Sequence, residues 1–324
     1  LALIDIYGIG NALVDIEAST TENDLSELSI EKGIMSLVDQ ETLNKYKKHH
    51  EKTIKKKACG GSAANTIITA AHTGIQCAYN CKVSNDSDGQ FYINDLKSSN
   101  VQTTTVPQNE IEPTGNCLVL VSPDADRTMT TFLGVSQQFS KNDIDENLLK
   151  NSRYVYIEGY LVSSEAGKEA AINAIKLAKT NNIKTAFTCS DPAMVQFFKQ
   201  GILEIIGDKI DILFCNEAEA IALSEKDSLN DALKYLKTLS ETVIITKGAN
   251  GALLSDKTET IDLSGEKVQA IDTNGAGDCF AGICLAGLAK GLTLKESGTQ
   301  AIKASAKLVT QFGPRLAKTD IKQL

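Results

Sequence analysis

Apolar segments alternate with helical patterns through the second half of the chain, and this alternation constrains the fold more than any other feature. Strands are predicted at 155–160, 185–190, 211–216 and 242–248, and helices at 164–180 and from 191 onward. The strands are continuously apolar, which is typical of a parallel sheet covered by helices on both faces. The N-terminal segment, LALIDIYGIG, is expected to add another buried strand.

The first half of the chain has shorter segments in which apolar and polar residues alternate. They lie at 16–20, 33–39, 114–121 and 127–132, and no helices are predicted between them. This pattern predicts a small, mostly antiparallel sheet with one solvated face. The predicted fold class is therefore α/β. We expect a single domain over residues 1–324, with the small sheet, built from about 14–40 and 112–134, inserted in it.

Composition limits the partners that the chain can bind. Its formal net charge is −8, which disfavours nucleic acid and anionic membrane as partners. The apolar N-terminal segment is interrupted by Asp5 and is too short to span a bilayer. The eight cysteines form no CxxC pair and stand at no metal-ligand spacing from a histidine, so we expect buried, reduced thiols and a cytoplasmic protein.

A strongly basic run, KYKKHHEKTIKKK, occupies residues 45–57. Such a run can grip a phosphate group, but runs of charge mostly lie on solvated surfaces. We therefore predict a solvent-exposed helix face and loop here, with no assigned binding role.

One stretch, AIDTNGAGDCFAGICLAGLAKG at 270–291, combines small residues with a carboxylate. A strand is predicted at 267–272, followed by a glycine turn and a helix that is buried on all sides. The free amides at the start of that helix can bind an anion, and Gly275 and Gly277 leave no Cβ in the way. Asp278 is then either a base beside the anion or a first-turn residue that the helix dipole stabilises.

Residues 272–278, DTNGAGD, resemble the signature of the ribokinase family, also called the PfkB carbohydrate kinases. The resemblance implies a ribokinase-like fold, with a mostly parallel central sheet flanked by helices and a small β-sheet lid over the acceptor. It also implies transfer of the γ-phosphoryl group of ATP to an alcohol, with Mg²⁺ as cofactor and K⁺ as a further candidate. In that family the last aspartate is the catalytic base and the preceding amides form the anion hole. These catalytic roles fall on Asp278 and on the backbone of Gly275, Ala276 and Gly277.

Two N-terminal segments, GIGNALVDIEA at 8–18 and CGGSAANTIITAAHTG at 59–74, match motifs of the same family. The resemblance implies that a carboxylate here accepts hydrogen bonds from two hydroxyls of the phosphoryl acceptor. It also implies that the glycines, which have no Cβ, let the acceptor lie against the backbone. The residues implied in acceptor binding are Asn11, Asp15, Gly60, Gly61 and Asn65. A local alternative is a glycine turn with Ser62 as a helix N-cap. GIGNAL is not a dinucleotide fingerprint, because it lacks the third glycine.

Two later segments, CNEAEA at 215–220 and TKGANGA at 246–252, match the family's nucleotide side. The resemblance implies that Asn216 and Glu219 lie near the phosphates, with Glu219 holding Mg²⁺ through water. It also implies nucleotide contacts from Thr246, Gly248 and Gly251. The local alternatives are a helix-capping pair and a hairpin turn, and each is compatible with a binding role.

The identity of the acceptor is less constrained. PDADRTMTTFLG at 123–134, YIEGYL at 156–161 and GGSAANT resemble the bacterial adenosine kinase-like members most, which implies a nucleoside. Arg127 would lie on the lid, within reach of a phosphate or the acceptor; a surface arginine is the alternative. A purine favours an aromatic platform, for which Phe132, Phe139 and Tyr160 are candidates.

Other functions stay open. A sugar kinase of the ribose, fructose or 2-keto-3-deoxygluconate type would use the same acceptor residues. A non-catalytic nucleotide- or sugar-binding protein would be expected to lack the base or the anion hole, and both are present in the sequence. The partner is thus expected to be a small-molecule nucleoside or sugar, and the chain a monomer or a homodimer joined through the lid.

Overall fold

The structure, a computed structural model, describes residues 3–124 and 126–322. Over these residues the chain forms two β-sheets and twelve α-helices. The strands are β1 (Ile4–Ile9), β2 (Leu13–Ser19), β3 (Met35–Leu37), β4 (Ile54–Gly60), β5 (Cys77–Asn80), β6 (Val101–Gln102), β7 (Thr114–Val121), β8 (Arg127–Gly134), β9 (Ser152–Glu158), β10 (Lys184–Thr188), β11 (Ile210–Asn216), β12 (Ser240–Thr246), β13 (Ala252–Ser255) and β14 (Thr260–Leu263). The helices are α1 (Glu22–Glu27), α2 (Gln40–His49), α3 (Ser62–His72), α4 (Ser87–Ser98), α5 (Glu146–Lys150), α6 (Glu165–Thr180), α7 (Pro192–Ile206), α8 (Glu217–Ser224), α9 (Leu229–Leu239), α10 (Ala276–Ala289), α11 (Leu294–Leu308) and α12 (Lys318–Ile321).

Nine strands form a large sheet in the order β14-β13-β12-β11-β10-β9-β1-β5-β6. The strands from β12 to β6 run parallel, and β13 and β14 are antiparallel additions at one edge. The parallel series predicted for the second half is confirmed, as are helices α6 and α7. Their first turns are capped by Ser164, which accepts from the amide of Gly167, and by Asp191, which accepts from the amide of Ala193.

Helices cover both faces of the large sheet and divide its core into two clusters. Successive residues of β11 point to opposite faces: Ile212 packs in the cluster with α3, α10 and α11, and Leu213 packs in the cluster with α6, α7 and α9. Because side chains alternate across a strand, a strand that is apolar at every position must be covered on both sides. The continuous apolar pattern of the sequence is the direct cause of this layering.

Small residues let α10 and α3 approach closely. A Cβ on Gly282 would come within 2.5 Å of the carbonyl oxygen of Thr66. The predicted burial of this helix is confirmed, and it ends before Gly291, which has a φ of +86°. The close contact brings the N-terminal ends of both helices to the same place.

The strand predicted at 267–272 is wrong. This segment has no regular structure, and Val268 and Ile271 are exposed. The amides of Ile271 and Asp272 both donate to the carbonyl of Val309, at the C-terminal end of α11. The segment therefore docks on a helix end, whereas β14 is the edge strand of the sheet.

The small sheet has the order β3-β8-β7-β2-β4 and is mixed rather than mostly antiparallel. β3 pairs with β8 and β2 with β7 in parallel, and the other two pairs are antiparallel. Four helices, α1 to α4, lie between the short segments that were predicted to have no helices between them. The capping box of Thr21 with Asp24 starts α1, but six residues are too few to reveal a helical period in the sequence.

The basic run is divided between two elements. Its first part ends α2, and its last part is the exposed edge strand β4 rather than a loop. This strand lies outside the two segments from which the small sheet was predicted. The lysines at 55–57 are exposed along this edge strand. Charged side chains on an edge strand commonly prevent it from pairing with a strand of another chain.

Candidate active site

A cavity of about 450 Å³ lies where the C-terminal ends of β1, β9, β10, β11 and β12 meet the N-terminus of α10 and one face of the small sheet. Open α/β sheets bind ligands at this edge, because the loops that follow parallel strands converge there. Twelve of the fifteen predicted site residues line the cavity: Asn11, Asp15, Gly61, Asn65, Arg127, Asn216, Glu219, Thr246, Gly275, Ala276, Gly277 and Asp278.

The start of α10 leaves backbone donors free. Gly275 caps the helix with a φ of +72°, and a Cβ there would collide with the backbone of Pro314. Among the described residues, the amides of Gly275, Gly277 and Asp278 have no acceptor, and that of Ala276 has a long hydrogen bond of 3.3 Å. A Cβ on Gly277 would meet nothing within 4 Å. The turn thus offers unpaired donors beside open space, as an anion requires.

The carboxylate of Asp278 is held by the N-terminal turn of α3. Its Oδ1 accepts from the hydroxyl of Ser62 at 2.7 Å, and its Oδ2 accepts from the Nδ2 of Asn65 at 3.2 Å. Burial raises the pKa of Asp278 to about 6, and the two hydrogen bonds limit that rise. This carboxylate is ionised at neutral pH and is a stronger base than an exposed aspartate.

The start of α3 differs from the local alternative considered for this segment. Its N-cap is Gly61, with a φ of +94°, and not Ser62. Ser62 is instead the first residue of the helix, and its hydroxyl turns to Asp278. A Cβ on Gly61 would collide with the carbonyl oxygen of Asn11, so the tight contact between β1 and α3 needs glycine here.

Asp15 projects from β2 into the same cavity. Gly60 does not line the cavity, but a Cβ on it would overlap the carboxylate of Asp15. Burial raises the pKa of Asp15 to about 7, Arg315 opposes the rise, and the nearby Asp278 adds to it. The Oδ1 of Asn65 is buried and has no partner among the described residues. The carboxylate and this amide oxygen are acceptors that ligand hydroxyls can satisfy.

Glu158 is a site residue that sequence reasoning missed. It ends β9, lines the cavity, and is fully buried. Its Oε1 accepts from the amide of Asn11 and its Oε2 from the amide of Ala63, both at 2.7 Å. Burial raises its pKa to about 7 despite these bonds. An acid inside the otherwise apolar segment VYIEGY was the signal that could have identified it.

Arg127 connects the small sheet with the DTNGAGD segment. It is 9% exposed, so the alternative of a surface arginine is wrong. Its guanidinium forms an ion pair with Asp272, whose carboxylate also accepts from the amides of Asn274 and Gly313. The Nε and Nη1 of Arg127 are buried and have no partner among the described residues. Two donors therefore stay available at the cavity wall.

Asn216 and Glu219 form the capping box at the start of α8. The amide and the Nδ2 of Asn216 donate to the two carboxylate oxygens of Glu219 at 2.9 and 2.8 Å, and the amide of Glu219 donates back. Burial raises the pKa of Glu219 to about 7, and Asp191 adds to the rise. Asp191, the N-cap of α7 after the neighbouring strand β10, also lines the cavity and was not predicted. Carboxylate and amide oxygens are ligands that suit Mg²⁺.

The two glycines of the TKGANGA segment lie in the hairpin turn between β12 and β13, outside the cavity lining. Gly251 has a φ of +98°, and a Cβ there would collide with the carbonyl of Leu263. Gly248, with a φ of +53°, has open space around its Cβ position. The geometry of the turn alone is enough to require glycine at position 251.

The small sheet gives the cavity an apolar wall, composed of Leu13, Met35, Leu37, Met129 and Leu133. Of the three aromatic candidates, Tyr160 lines the cavity. Phe139 is buried in the core, and Phe132 packs against the other core cluster. The wall is thus aliphatic, and the aromatic side chains of Tyr160 and Phe214 line the cavity from outside the small sheet.

A family model described as "pfkB family carbohydrate kinase" matches residues 33–321. The chain belongs to this family. The pfkB kinase described here is accordingly a phosphotransferase that acts on an alcohol group, and its ribokinase-like fold is confirmed.

Three similar proteins illustrate the range of the family. An adenosine kinase from Sinorhizobium meliloti is 30% identical, with a TM-score of 0.92 over 99% of both chains. A probable sugar kinase from Rhizobium etli CFN 42 is 28% identical, with a TM-score of 0.93 over 100% of this chain and 99% of the other. A ribokinase from Mus musculus is 29% identical over 69% of each chain. Nucleoside and sugar kinases are therefore both among the relatives.

The helices of the described residues include none that combines the length and the apolar character needed to cross a bilayer.

Proposed function

We propose that this pfkB kinase transfers the γ-phosphoryl group of ATP to a hydroxymethyl group of a nucleoside, adenosine or a close analogue. The observation that carries the proposal is the position of Asp278, which lies beside unpaired helix amides and opposite an apolar wall. Phosphoryl transfer needs donors for the migrating group and a carboxylate for the alcohol, whereas the apolar wall suits a nucleobase.

Asp278 acts as the base. The hydroxyl of the acceptor lies against its carboxylate and gives up a proton to it as the new O–P bond forms. The bond between the γ-phosphorus and the bridging oxygen of ATP breaks, and ADP leaves with the electron pair. A carboxylate with a pKa of about 6 accepts this proton better than an ordinary aspartate does.

Backbone donors at 275–277 balance the charge of the migrating group. The amides of Gly275 and Gly277 have no hydrogen-bond acceptor among the described residues, and the amide of Ala276 has only a long hydrogen bond. Such fixed donors stabilise a transition state without reorganisation. The unpaired Nε and Nη1 of Arg127 add N–H donors from the lid side. Closure of the small sheet as a lid would exclude water, which otherwise competes for the phosphoryl group.

The nucleotide side is assigned to Asn216, Thr246, Gly248 and Gly251. Mg²⁺ would neutralise the phosphates when bound. The carboxylates that follow β10 and β11 suit this ion. Both oxygens of Glu219 already accept hydrogen bonds from Asn216, so Glu219 would contact the ion through water. Asp191 offers a second carboxylate. K⁺ stays a candidate cofactor without assigned residues.

Acceptor hydroxyls are assigned to Asp15 and Asn65, with Asn11, Gly60 and Gly61 shaping the backbone around them. The aliphatic face of the lid favours a nucleoside over a free sugar, because a monosaccharide has no comparable apolar group to cover it. A sugar kinase of the ribose, fructose or 2-keto-3-deoxygluconate type is the second candidate, supported by the same hydroxyl-binding residues. A non-catalytic binding protein is disfavoured by family membership.

We further propose a cytoplasmic enzyme, since all eight cysteines are buried free thiols. A monomer is favoured over a homodimer joined through the lid, because the exposed lysines of β4 oppose pairing of two lid edges. Light scattering at assay concentration tests this point, and a dimer that separates when residues of the small sheet are changed would contradict it.

The proposal is tested by measuring ADP release with Mg²⁺ and ATP across nucleosides and monosaccharides, with Asp278→Asn as the control protein. We expect turnover with adenosine above that with ribose, fructose and 2-keto-3-deoxygluconate, and none with the control. Turnover with a sugar alone would replace the nucleoside by that sugar. The absence of turnover with every acceptor, together with tight ATP binding, would favour the non-catalytic alternative.

A further inference from the structure

The basic run at 45–57 includes two of the chain's three histidines, and the kinase site uses neither. His49 ends α2 and His50 follows it, while Asp24 lies opposite them in α1. One ligand atom from each of these three residues lies within 4.8 Å of the other two. We propose that Asp24, His49 and His50 form a binding site for a zinc-like divalent metal ion that joins α1 to the end of α2.

The first two ligand atoms form a hydrogen bond with each other in this structure. The Nε2 of His49 lies 2.9 Å from the Oδ1 of Asp24. A tetrahedral ion with ligands at about 2.1 Å holds its ligand atoms about 3.4 Å apart. The atoms of His49 and Asp24 therefore need to separate by about 0.5 Å, and the third ligand atom, which lies within 4.8 Å of both, needs to approach by at most about 1.4 Å. Small side-chain rotations can supply both displacements.

His50 has a nitrogen prepared for a metal. Its Nδ1 lies 3.0 Å from the carbonyl oxygen of Tyr46, so this nitrogen carries the proton and donates it. The Nε2 is therefore the nitrogen that carries the lone pair, and a backbone hydrogen bond of this kind orients histidine ligands in metal sites. The hydroxyl of Thr20, 3.0 Å away, caps this lone pair. When a metal takes the place of the Thr20 hydroxyl at Nε2, that hydroxyl can donate to the carbonyl of Thr21, which lies 3.5 Å away.

Asp24 is oriented in a similar way. Its Oδ2 accepts from the amide and the hydroxyl of Thr21 at 2.9 and 2.6 Å, which leaves Oδ1 facing His49. The side chains of Asp24 and His49 are 30% and 31% exposed, whereas His50 is buried. The site therefore has an outer side through which an ion enters and where water supplies the fourth ligand.

The ligand set selects the class of ion. Two imidazoles and one carboxylate suit Zn²⁺ or Co²⁺, whereas Mg²⁺ prefers oxygen ligands throughout. The bound ion would fix the layer of helices outside the small sheet, because α2 packs on β7 and β8. The lysines of α2 oppose a cation, so we expect a Kd on the order of 1–10 µM rather than a nanomolar value.

The test is zinc titration by calorimetry of the full chain, purified without a histidine tag, in buffer free of ATP and Mg²⁺. We expect one zinc ion per chain for the wild type and for His72→Gln, which changes the third histidine, outside the cluster. We expect binding to be at least about 30-fold weaker for His49→Gln, a variant of a partly exposed side chain. A wild type that takes up no zinc at about 100 µM, or His49→Gln that binds zinc as the wild type does, would overturn the proposal.

A second variant and an absorption spectrum distinguish loss of the metal site from misfolding of the chain. Asp24→Asn keeps a side-chain oxygen that can accept from the amide of Thr21, the N-cap of α1, and removes the charged ligand. It should weaken zinc binding while the thermal midpoint in EDTA changes little. Co²⁺ should give the visible absorption of a tetrahedral site in the wild type and lose it in His49→Gln. Asp278→Asn should bind zinc normally, so that a failure of the kinase proposal leaves this result unaffected.

Discussion

The two walls of the cavity are built in different ways. The α10 side takes its anion-binding turn and its carboxylate from seven consecutive residues, 272–278, which lead into a helix that the core surrounds. The lid side takes Asp15, Leu37 and Arg127 from three strands that are far apart in the chain. A single local unit therefore carries the transfer chemistry, and a surface assembled from distant segments selects the acceptor. Changes on the α10 side should stop transfer with any acceptor, whereas changes on the lid side should discriminate between acceptors.

The largest effect is expected for Asp278→Asn. Loss of the base should lower kcat about 10³-fold with every acceptor, because an amide cannot take the proton. The hydrogen bonds to Ser62 and Asn65 are compatible with an amide, so ATP affinity measured by calorimetry should change little. Retention of more than a tenth of the wild-type rate would remove Asp278 from its role.

Gly277→Ala should lower kcat about 10²-fold on the same side of the cavity. Its new methyl group points into open space in the ligand-free protein, so the thermal midpoint should stay unchanged. The methyl group would instead occupy the approach of the phosphoryl group to the free amides. A normal rate with a normal midpoint would mean that the phosphoryl group binds elsewhere.

Asp15→Ala should act on the acceptor alone. We expect the KM for the acceptor to rise about 30-fold, because two hydroxyl hydrogen bonds are lost, and the KM for ATP to change by less than about twofold. Initial rates with each substrate varied in turn separate the two effects. Equal increases in both KM values would contradict the division between the two walls.

Leu37→Ser should have a smaller and selective effect. Leu37 is 49% exposed in the ligand-free protein, so its replacement should not disturb folding. The apolar wall should lose contact with a nucleobase, and kcat/KM should fall about fivefold for the nucleoside and stay constant for a monosaccharide. Parallel losses for both acceptors would show that the wall does not select the base.

The last prediction concerns the free energy of unfolding as a function of pH rather than catalysis. Burial raises the pKa values of Asp15, Glu158 and Glu219 to about 7, above the ordinary carboxyl values of 3.8 to 4.5. The folded chain then holds protons that the unfolded chain has lost, so stability from these groups is full below about pH 4 and decreases as pH rises through about 7. The free energy of unfolding from urea titrations should fall over this interval, and less so in Glu158→Gln. An equal slope in both proteins would exclude Glu158 as a source.

The parallel sheet and the α10 elbow could be predicted because their signals are local: continuous apolar strands, and a glycine turn before a buried helix. The mixed pairing of the small sheet could not, because nothing in β3 specifies that it pairs with β8 rather than with a neighbour in sequence. The segment at 267–272 has the composition of a strand, but its amides at 271 and 272 donate to the carbonyl of Val309 at the end of α11. Glu158 and the pairing of Arg127 with Asp272 depend on contacts between distant segments, which one sequence does not reveal.

A crystal structure with adenosine, Mg²⁺ and a non-hydrolysable ATP analogue tests the central claim most directly. The account predicts that the terminal phosphate lies within hydrogen-bonding distance of the amides at 275–277, and that the acceptor hydroxyl contacts the carboxylate of Asp278. A terminal phosphate far from that turn, with the acceptor hydroxyl beyond reach of Asp278, would contradict it.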